Sequence, residues 1–530
     1  MDALEMNEDS TALDSGGMID YRKFTKAGLF YNKFFQGVIG DFVFGKVFTY
    51  TFFELYLNLD GHQYNTAMAT VQTLWALKFV WGIASDAIPI FKKRRIPYMV
   101  IGWTGAFLAF IICVMMGVPE PYYKVNGCHR NFSEISNTDN VATAVPYIYA
   151  IGFAMSMLAV SDVASDALVI EYNRREPVEI RGQANATASI FQSSGRIIVI
   201  ILIALLLNGP SFNGSLCFEI TIPQYFIIMA GFSILGILTA LFTTVEHSKV
   251  KKVSWNKFVR YLKGFWQALA EKELLGFAAY MFLHFFFIEV KSSAAVKIKS
   301  KWAKVGPLAN TTTTLFAKSI YVLGVFAYKR FLINANWRKI NYVVNMFIIL
   351  FSFGIDTITI FDIFRNQYFY CIEPIINFFP LAMVELMGCQ VCAEVSANNY
   401  EAITFGLFMA SWSASSPNAL VFGNFISSFF DVSKDDRYIR DSQEDRLLVF
   451  GSILTCKCVN LLSLVVVALL MPKQKIDVQR KLKLQRVLPR TRNVLFTLFI
   501  ICLSYLMLSN ILTMIPSTSC YQLFGGSGCN

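Results

Sequence analysis

The sequence predicts an all-α polytopic membrane protein, built from two six-helix halves and a thirteenth transmembrane helix. Only 16% of the 530 residues are charged and 55% are hydrophobic, whereas soluble chains carry about 25% charged residues. The apolar residues fall in continuous runs of roughly 20, the length of a membrane-spanning helix. These observations exclude a soluble multidomain enzyme, a disordered protein and a fibre. Runs that do not alternate also disfavour a β-barrel.

The runs divide the chain into six parts. We expect a cytoplasmic N-terminal tail (1–33), an N-terminal half (34–245), a basic cytoplasmic linker (246–273), a C-terminal half (274–471), a basic cytoplasmic segment (472–492), and an extra transmembrane helix with an outer tail (493–530). The predicted spans are 34–58, 65–90, 97–118, 144–170, 184–208, 224–245, 274–290, 309–328, 341–361, 368–393, 402–430, 447–471 and 493–514. The N-terminal tail lacks the short apolar segment and cleavage site of a signal peptide.

The distribution of basic residues predicts a cytoplasmic N-terminus. With that orientation, 30 Lys and Arg residues lie on the cytoplasmic side and 12 on the outer side, in agreement with the positive-inside rule. Glycosylation sequons at Asn131 and Asn213 fall in the two longest outer loops of the first half. Cys128 and Cys217 lie in the same loops, so the sequence permits an outer disulfide.

One segment conflicts with this rule. Residues 291–304 contain five lysines but are assigned to the outer side. Either the seventh span is misplaced, or the segment is an outer basic vestibule. We favour the vestibule, because moving the span would invert every later loop. Such a vestibule would attract anionic solutes.

Composition and motifs exclude several functions. The net charge of +11 is explained by cytoplasmic loops and not by a nucleic-acid-binding domain. No glycine-rich phosphate loop follows a strand, so direct ATP drive is not predicted. The four histidines (His62, His129, His247 and His284) are too scattered for a metal site or a nucleophile–base pair. We therefore predict no enzyme activity, no metal and no cofactor.

A first group of candidate residues surrounds the cytoplasmic end of the second span. Lys78, Gly82 and Asp86 are four residues apart and share one helix face, and Arg94 and Arg95 follow in the next loop. The Gly-x-x-x-Asp…Arg-Arg pattern resembles the gate between the second and third helices of the major facilitator superfamily. The alternative is a helix cap with a basic anchor. Lys78 lies about two turns inside the membrane, so it needs a carboxylate or an anionic ligand.

A second group lies in the fourth span. Asp162 and Asp166 belong to a tandem Ser-Asp repeat whose spacing places both carboxylates on one face. Two adjacent anions repel, so one should hold a proton or pair with a cation. Glu171 marks the cytoplasmic helix end, and Arg196 in the fifth span is the best-placed cation. The alternative is a structural network with cations of other spans: Lys46, Lys78 or Arg196.

A third group lies in the second half. Glu385 is inside the tenth span, and Glu394 lies at its cytoplasmic end. The eleventh span opens with small and polar residues and then Pro417-Asn418. A proline inside a helix frees backbone groups that must be satisfied within the protein. Asn418 and the preceding serines either bind a polar ligand or close a helix contact.

Several segments together resemble the folate–biopterin transporter family, a branch of the major facilitator superfamily. Residues 77–98 resemble its Lys…Gly…Ser-Asp…Pro…Arg-Arg-x-x-Tyr segment, and residues 162–171 resemble its Asp-x-x-x-Asp-(small)-x-Val-x-Glu segment. Further matching segments are 181–183, 336–339, 394–401 and 405–407. The resemblance covers about residues 25–470. Loops 117–123 and 207–210 look most like the expanded set of such proteins in oomycetes.

The resemblance implies a major-facilitator-type six-plus-six helix bundle that imports a pteridine or folate-like solute by secondary active, proton-coupled transport. It implies that Asp162, Asp166, Lys78, Arg196 and Glu385 line the substrate or proton pathway. The gate residues would be Gly82, Asp86, Arg94 and Arg95. In the second half Tyr328 replaces the gate aspartate, so that gate is degenerate.

Two alternatives remain open on the sequence. One is a transporter of another polar cofactor or metabolite, such as S-adenosylmethionine or an amino acid. The other is a non-transporting membrane sensor on the same fold. Intramembrane charges favour transport, because such groups usually mark solute or ion pathways. The expected partners are a small-molecule solute, protons and the lipid bilayer, with no nucleic acid. We expect a monomer in the plasma membrane.

Overall fold

The protein is described by a computed structural model, in which most of the chain is helical. The described residues are 27–44, 47–76, 78–174, 183–246, 259, 263–264, 266–267, 269–327, 331–332, 335–395, 401–474, 487–515, 517–518 and 520–521. Within them the chain forms seventeen α-helices and one two-stranded hairpin.

The first half of the chain contains eight of these helices. Their bounds are α1 (Gly28–Phe44), α2 (Val47–Thr49), α3 (Gly61–Ala76), α4 (Lys78–Ala87), α5 (Ile96–Met115), α6 (Asn140–Arg174), α7 (Gln183–Leu206) and α8 (Ile222–Leu238). π-Helical segments continue α2 over Tyr50–Tyr56 and α8 over Thr239–Thr243. Residues 45–46 of the first predicted span and residue 77 of the second lie outside the described part of the chain.

The second half contributes eight more helices, and a further helix follows it. Their bounds are α9 (Lys272–Glu289), α10 (Ala294–Lys297), α11 (Pro307–Ala327), α12 (Trp337–Ile360), α13 (Gln367–Val395), α14 (Glu401–Ser428), α15 (Asp436–Arg440), α16 (Gln443–Leu470) and α17 (Pro489–Met514). A π-helical segment continues α10 over Ile298–Trp302. By length and composition, α5, α6, α8, α12, α16 and α17 each suffice to cross a membrane.

A β-hairpin and a disulfide mark one end of the bundle. Strands β1 (Tyr123–Asn126) and β2 (His129–Ile135) pair antiparallel across a turn in which Gly127 has a φ of 63°. Cys128 in this turn is disulfide-bonded to Cys217, which confirms the predicted pairing. We call this the hairpin end, and we call the opposite end, where Arg94 and Arg95 lie, the linker end.

The segment 291–304 is mostly helical, so the predicted open loop is wrong, whereas its outer location stays a prediction. Helix α10 and its π-helical continuation occupy most of it. Together with α9 they are long and apolar enough to form one membrane span, which is bent by 46°. Lys297 at its centre is fully buried. Hydropathy counts each lysine against a span. Here Lys297 is neutralised by buried carboxylates, so the helix tolerates its charge.

Close helix packing builds the first half. Helices α1 and α7 approach so tightly that a Cβ atom at Gly37 would overlap the backbone carbonyl of Gln192. One at Gly195 would overlap that of Phe34. Glycine at both positions therefore allows contact between backbones. One apolar core centres on Trp103 and Phe110 of the first half and extends to Leu420 and Val421 of the second, and another centres on Phe277 of the second half.

The most extensive contacts between the halves are made by two helix pairs, and α17 lies beside one of them. Helix α3 packs on α14, and α7 packs on α11. Helix α17 packs on both α3 and α14, with a hydrogen bond from Asn510 to Thr73 and an edge contact between Phe499 and Phe282. Helix α17, the predicted thirteenth transmembrane helix, therefore contacts both halves where they meet.

Candidate functional site

Three helices of the first half bring four charged side chains together. Helix α1 begins at Gly28, so Lys33 lies on its second turn. Lys78 is the first residue of α4. Asp162 and Asp166 lie one turn apart on α6. We call these four residues the lysine–aspartate cluster.

Each aspartate of the lysine–aspartate cluster contacts both lysines. Lys33 Nζ lies 2.9 Å from an Asp162 oxygen and 2.5 Å from an Asp166 oxygen. Lys78 Nζ contacts Asp162 and lies 2.9 Å from the second oxygen of Asp166. The side chains of Lys33 and Asp162 are 3% and 6% exposed, against 27% for Lys78 and 49% for Asp166. The cluster is thus neutral, deep at one side and open at the other.

Neutral polar groups hold the deep side of the cluster. Gln36 donates to the hydroxyl of Ser161 (3.2 Å) and accepts from that of Ser165 (3.1 Å). Asn32 accepts from Gln36 at 3.1 Å and donates to the carbonyl of Gly236. These residues form a buried polar stripe of α1 that faces α6. The stripe positions Lys33 because buried polar groups must be hydrogen-bonded.

The structure pairs the aspartates with Lys78, as one sequence interpretation expected, and with Lys33, which that interpretation missed. Arg196 was the best-placed cation on the sequence, but it makes no contact with either aspartate among the described residues. It lies on α7 with no hydrogen bond or ion pair in the described part of the chain. It does lie close enough to Glu385 of the other half to attract its carboxylate. Lys46 lies outside the described residues.

A second group of charged residues surrounds Glu385 on α13. The Glu385 carboxylate accepts a hydrogen bond from Tyr321 at 2.7 Å. It also lies within electrostatic reach of Lys318 and Glu289. Glu289 is the last residue of α9, at the bend of the seventh span, and Ser416 donates to it at 3.4 Å. The second half thus provides two carboxylates inside the bundle, opposite Arg196.

The predicted gate residues occupy the linker end. Gly82 allows contact with Val163 of α6. The Arg95 guanidinium lies 3.3 Å from Glu171 and donates to Ser85 at 2.9 Å. The backbone amide of Arg94 donates to Glu246 at 2.7 Å. A carboxylate accepting at this position stabilises the positive end of α5. The partner of Arg95 seen here is Glu171.

Some predicted residues fall outside the described part of the structure. They are the side chains of Asp86 and Glu394, and the whole of Tyr328. The polar residues around Pro417 are described, and they bond within their own helix. Asn418 donates to the carbonyl of Ala414, and Ser415 to that of Trp412. Of the two interpretations offered by the sequence, these bonds favour a structural role.

A further charged group lies between the halves at the hairpin end. Lys297 Nζ lies 3.3 Å from Glu54 and 3.0 Å from Asp435. Lys301 Nζ lies 2.7 Å from the second oxygen of Asp435. Asn58 donates to Asp435 at 2.8 Å. We call Glu54, Lys297, Lys301 and Asp435 the hairpin-end charge cluster. The lysines of 291–304 were noted from the sequence but their partners were not; the signal for one partner was Glu54, a glutamate inside the first predicted span.

Comparison with known proteins assigns the fold. The sequence model of the BT1 family matches residues 36–487. The crystal structure of a D-xylose–proton symporter superposes with a TM-score of 0.57 at 11% identity, over 84% of this chain and 97% of that chain. The inward-open xylose transporter XylE from E. coli gives 0.55 at 11%, over 87% and 99%. A POT family transporter with a bound thioalcohol-conjugated peptide gives 0.58 at 10%, over 84% and 96%. No curated protein sequence matches significantly. The fold is that of major facilitator transporters.

Proposed function

Because this chain belongs to the BT1 family, a membrane transporter family by its structural neighbours, we propose that it imports a pteridine or folate-like solute by proton-coupled transport. The observation that carries the proposal is the lysine–aspartate cluster. Four charges inside a helix bundle usually mark a solute or ion pathway. Half-exposed Asp166 gives a solute access to the cluster.

The chemistry of the cluster suits an anionic or polar solute. A carboxylate or a pteridine carbonyl that reaches Lys33 and Lys78 would replace an aspartate oxygen that now accepts from them. Exchange of one acceptor for another avoids leaving a buried ammonium group unpaired. Arg196, which forms no ion pair within the described residues, offers a second cation to a dianion such as folate. A guanidinium binds a carboxylate with two parallel hydrogen bonds.

The remaining parts of the proposal follow from the sequence. We place the N-terminus in the cytoplasm and the hairpin end outside, and we take the protein to be a monomer in the plasma membrane. Asp86, Arg94 and Arg95 would close the cytoplasmic gate. The disulfide between Cys128 and Cys217 supports an outer location of the hairpin end, because disulfides persist outside the cytosol.

The test is uptake of labelled folic acid and biopterin by a null host that expresses the full chain, at about pH 5.5 and about pH 7.5. We expect saturable uptake that rises at acid pH and is lost in the Asp162→Asn/Asp166→Asn double variant. Glu134→Gln is the matched control, because Glu134 forms an exposed ion pair with Lys124 on the hairpin. The absence of uptake despite surface expression would refute the assigned solutes.

Arg196 separates the anionic solute from the second candidate. Substitution by glutamine breaks no ion pair in the described structure, so the fold should tolerate it. Folate uptake should fall strongly in Arg196→Gln. A cationic solute such as S-adenosylmethionine would instead depend on Asp166, whose half-exposed carboxylate favours this second candidate. If S-adenosylmethionine uptake persists in Arg196→Gln but is lost in Asp166→Asn, the cationic solute is the correct one. A non-transporting sensor would bind the ligand without accumulating it.

A further inference from the structure

The hairpin-end charge cluster joins the two halves through one ionic contact. Glu54 belongs to the π-helical continuation of α2 in the first half, whereas Lys297, Lys301 and Asp435 all belong to the second half. The side chains of Glu54 and Lys297 are both 0% exposed. Loss of the Glu54 charge would therefore remove this ionic contact between the halves and leave Lys297 paired with Asp435. Hydrogen bonds from Lys297 to the carbonyl of Leu59 and from Asn58 to Asp435 would still join the halves there.

The Glu54 carboxylate is bonded unevenly. Its Oε1 atom accepts from Lys297 at 3.3 Å and from Ser300 at 2.5 Å. Its Oε2 atom is buried and has no hydrogen-bond partner among the described residues. An ionised carboxylate can accept about four hydrogen bonds, and leaving a buried acceptor unbonded is unfavourable. The geometry is better matched to a carboxyl group that exchanges a proton at Oε2.

We propose that Glu54 is the proton-binding group of this transporter, and that its protonation opens the hairpin end. A proton from the solution at the hairpin end would add to Oε2 and form the carboxylic acid. Lys297 would keep Asp435, and the ion pair across the halves would become a hydrogen bond from the Lys297 ammonium group to an uncharged carboxyl group. The inference deepens the proposed proton-coupled transport and rests on it.

The lysine–aspartate cluster is less suited to this role. Each of its carboxylates contacts two ammonium groups through its two oxygens, so protonation of either would weaken two ion pairs. Breaking a buried pair in this way is strongly unfavourable. Glu54 contacts one ammonium group and keeps its Oε2 atom unbonded among the described residues, so its protonation would weaken a single ion pair. At the hairpin end, Asp435 remains on Lys297 when Glu54 takes up a proton. In this proposal the lysine–aspartate cluster binds the solute, and the hairpin-end charge cluster binds the proton.

The moving element is defined by the bend of the seventh span. Helix α10 carries Lys297 and follows the break after Glu289. At this break, a Cβ atom at Gly61 or at Gly423 would overlap the backbone of Ser293 or of Lys291. Small residues thus hold the break closely against α3 and α14. Weakening of the contact between Lys297 and Glu54 would allow α10 to move about the break.

Other charged or titratable groups face this site, and one of them is a rival. The groups within electrostatic reach of Glu54 are Lys297, Lys301, Arg130, Asp435, Asp60, Tyr50, Tyr64, Tyr123 and Tyr438, and Lys434 lies near Asp60. Asp60 lies between α2 and α3, and burial raises its pKa to about 6. A pH response of the hairpin end could therefore arise from Asp60, so the experiment includes Asp60→Asn.

The experiment measures opening without any solute. Ser433 is buried at the seam, where its carbonyl accepts from the amide of Gly61, and Ser433→Cys adds a thiol there. A membrane-impermeant maleimide is applied from the hairpin side to the full chain, and the labelling of the parent chain is subtracted. We expect labelling about tenfold faster at about pH 5.5 than at about pH 7.5, which corresponds to a 1.4 kcal/mol shift between states.

The variants identify the responsible group. In Glu54→Gln, which imitates the protonated carboxyl, labelling should be fast at both pH values. Lys297→Met should have the same effect, whereas Glu54→Asp and the hairpin control Glu134→Gln should keep the pH response. A response that persists in Glu54→Gln, or that disappears in Asp60→Asn alone, would overturn the assignment. If labelling responds to pH through Glu54 but neither folate nor biopterin is taken up, this inference stands and the proposed solute fails.

Discussion

Lys33 and Asp162 should be energetically coupled, and a double-mutant cycle measures that coupling. Their charged atoms lie 2.9 Å apart, and both side chains are almost fully buried. Two unit charges 4 Å apart attract each other by about 4 kcal/mol at an effective dielectric constant of about 20. Removing one partner of a buried pair destabilises a protein by about 3–5 kcal/mol. Asp166 and Lys78 remain after either substitution, so we expect about 2–3 kcal/mol for Lys33→Met or Asp162→Asn.

The double variant distinguishes a coupled pair from two independent losses. Lys33→Met/Asp162→Asn leaves Lys78 with Asp166, which is a neutral pair. We therefore expect the double variant to be more stable than the sum of the single effects predicts, by about 1–3 kcal/mol. The measurement is thermal unfolding of the full chain in detergent, with surface expression as a check on folding.

An exposed ion pair provides the control for this cycle. Lys124 and Glu134 lie 3.0 Å apart on the hairpin, and both side chains are more than half exposed. Pairs of this kind contribute at most about 1 kcal/mol, so the same cycle should show almost no coupling there. Additive effects at Lys33 and Asp162, within about 0.5 kcal/mol, would refute the reasoning.

Three further predictions concern the hairpin end. Cys128→Ser, Cys217→Ser and the double variant should lose the same stability, about 2–4 kcal/mol, because each removes one disulfide; unequal shifts in Tm would contradict this. Burial raises the pKa of Asp60 to about 6, against an ordinary 3.8. The contribution of Asp60 to the free energy of unfolding is therefore greatest below pH 3.8 and is lost as the pH rises through about 6. Asp60→Asn should therefore raise Tm at about pH 7.5 and leave it unchanged at about pH 4. In a eukaryotic host, Asn131→Gln and Asn213→Gln should each remove one glycan, seen as a shift on a gel. A wild-type chain without glycans would contradict the proposed orientation.

The helical spans could be predicted from the sequence, because long apolar runs leave few alternatives. The ends of the spans were less certain, and this uncertainty hid Lys33. The first apolar run starts at residue 34, so Lys33 was assigned to the tail, whereas α1 begins at Gly28. Asn32 and Gln36 lie one turn apart on that helix. A polar stripe in so apolar a region is the signal that would have revealed the buried lysine.

Partners of charged residues were the part that the sequence could not supply. Asp162 and Asp166 were correctly placed on one helix face, because spacing alone fixes that. Arg196 was chosen as their cation, but it contacts neither aspartate among the described residues, since the orientation of α7 depends on the close approach at Gly195. Lys297 was likewise assigned to an outer basic segment, because the sequence does not show the carboxylates that surround it in the fold. A charge count sees each residue alone, whereas burial depends on groups far away in the chain.

The two π-helical segments at the hairpin end give the cluster there a second way to change. Glu54 lies in one of them, and Lys301 lies in the other. A π turn contains an additional residue compared with an α turn. If either segment tightened to an α-helix, the following residues would rotate by about 100° and shift by about 1.5 Å along the axis. A slip of one residue in the register would carry Glu54 away from Lys297 without any bending of the helix. The additional residue in each π-helical segment thus allows a local change of helix register that leaves the preceding helix in place.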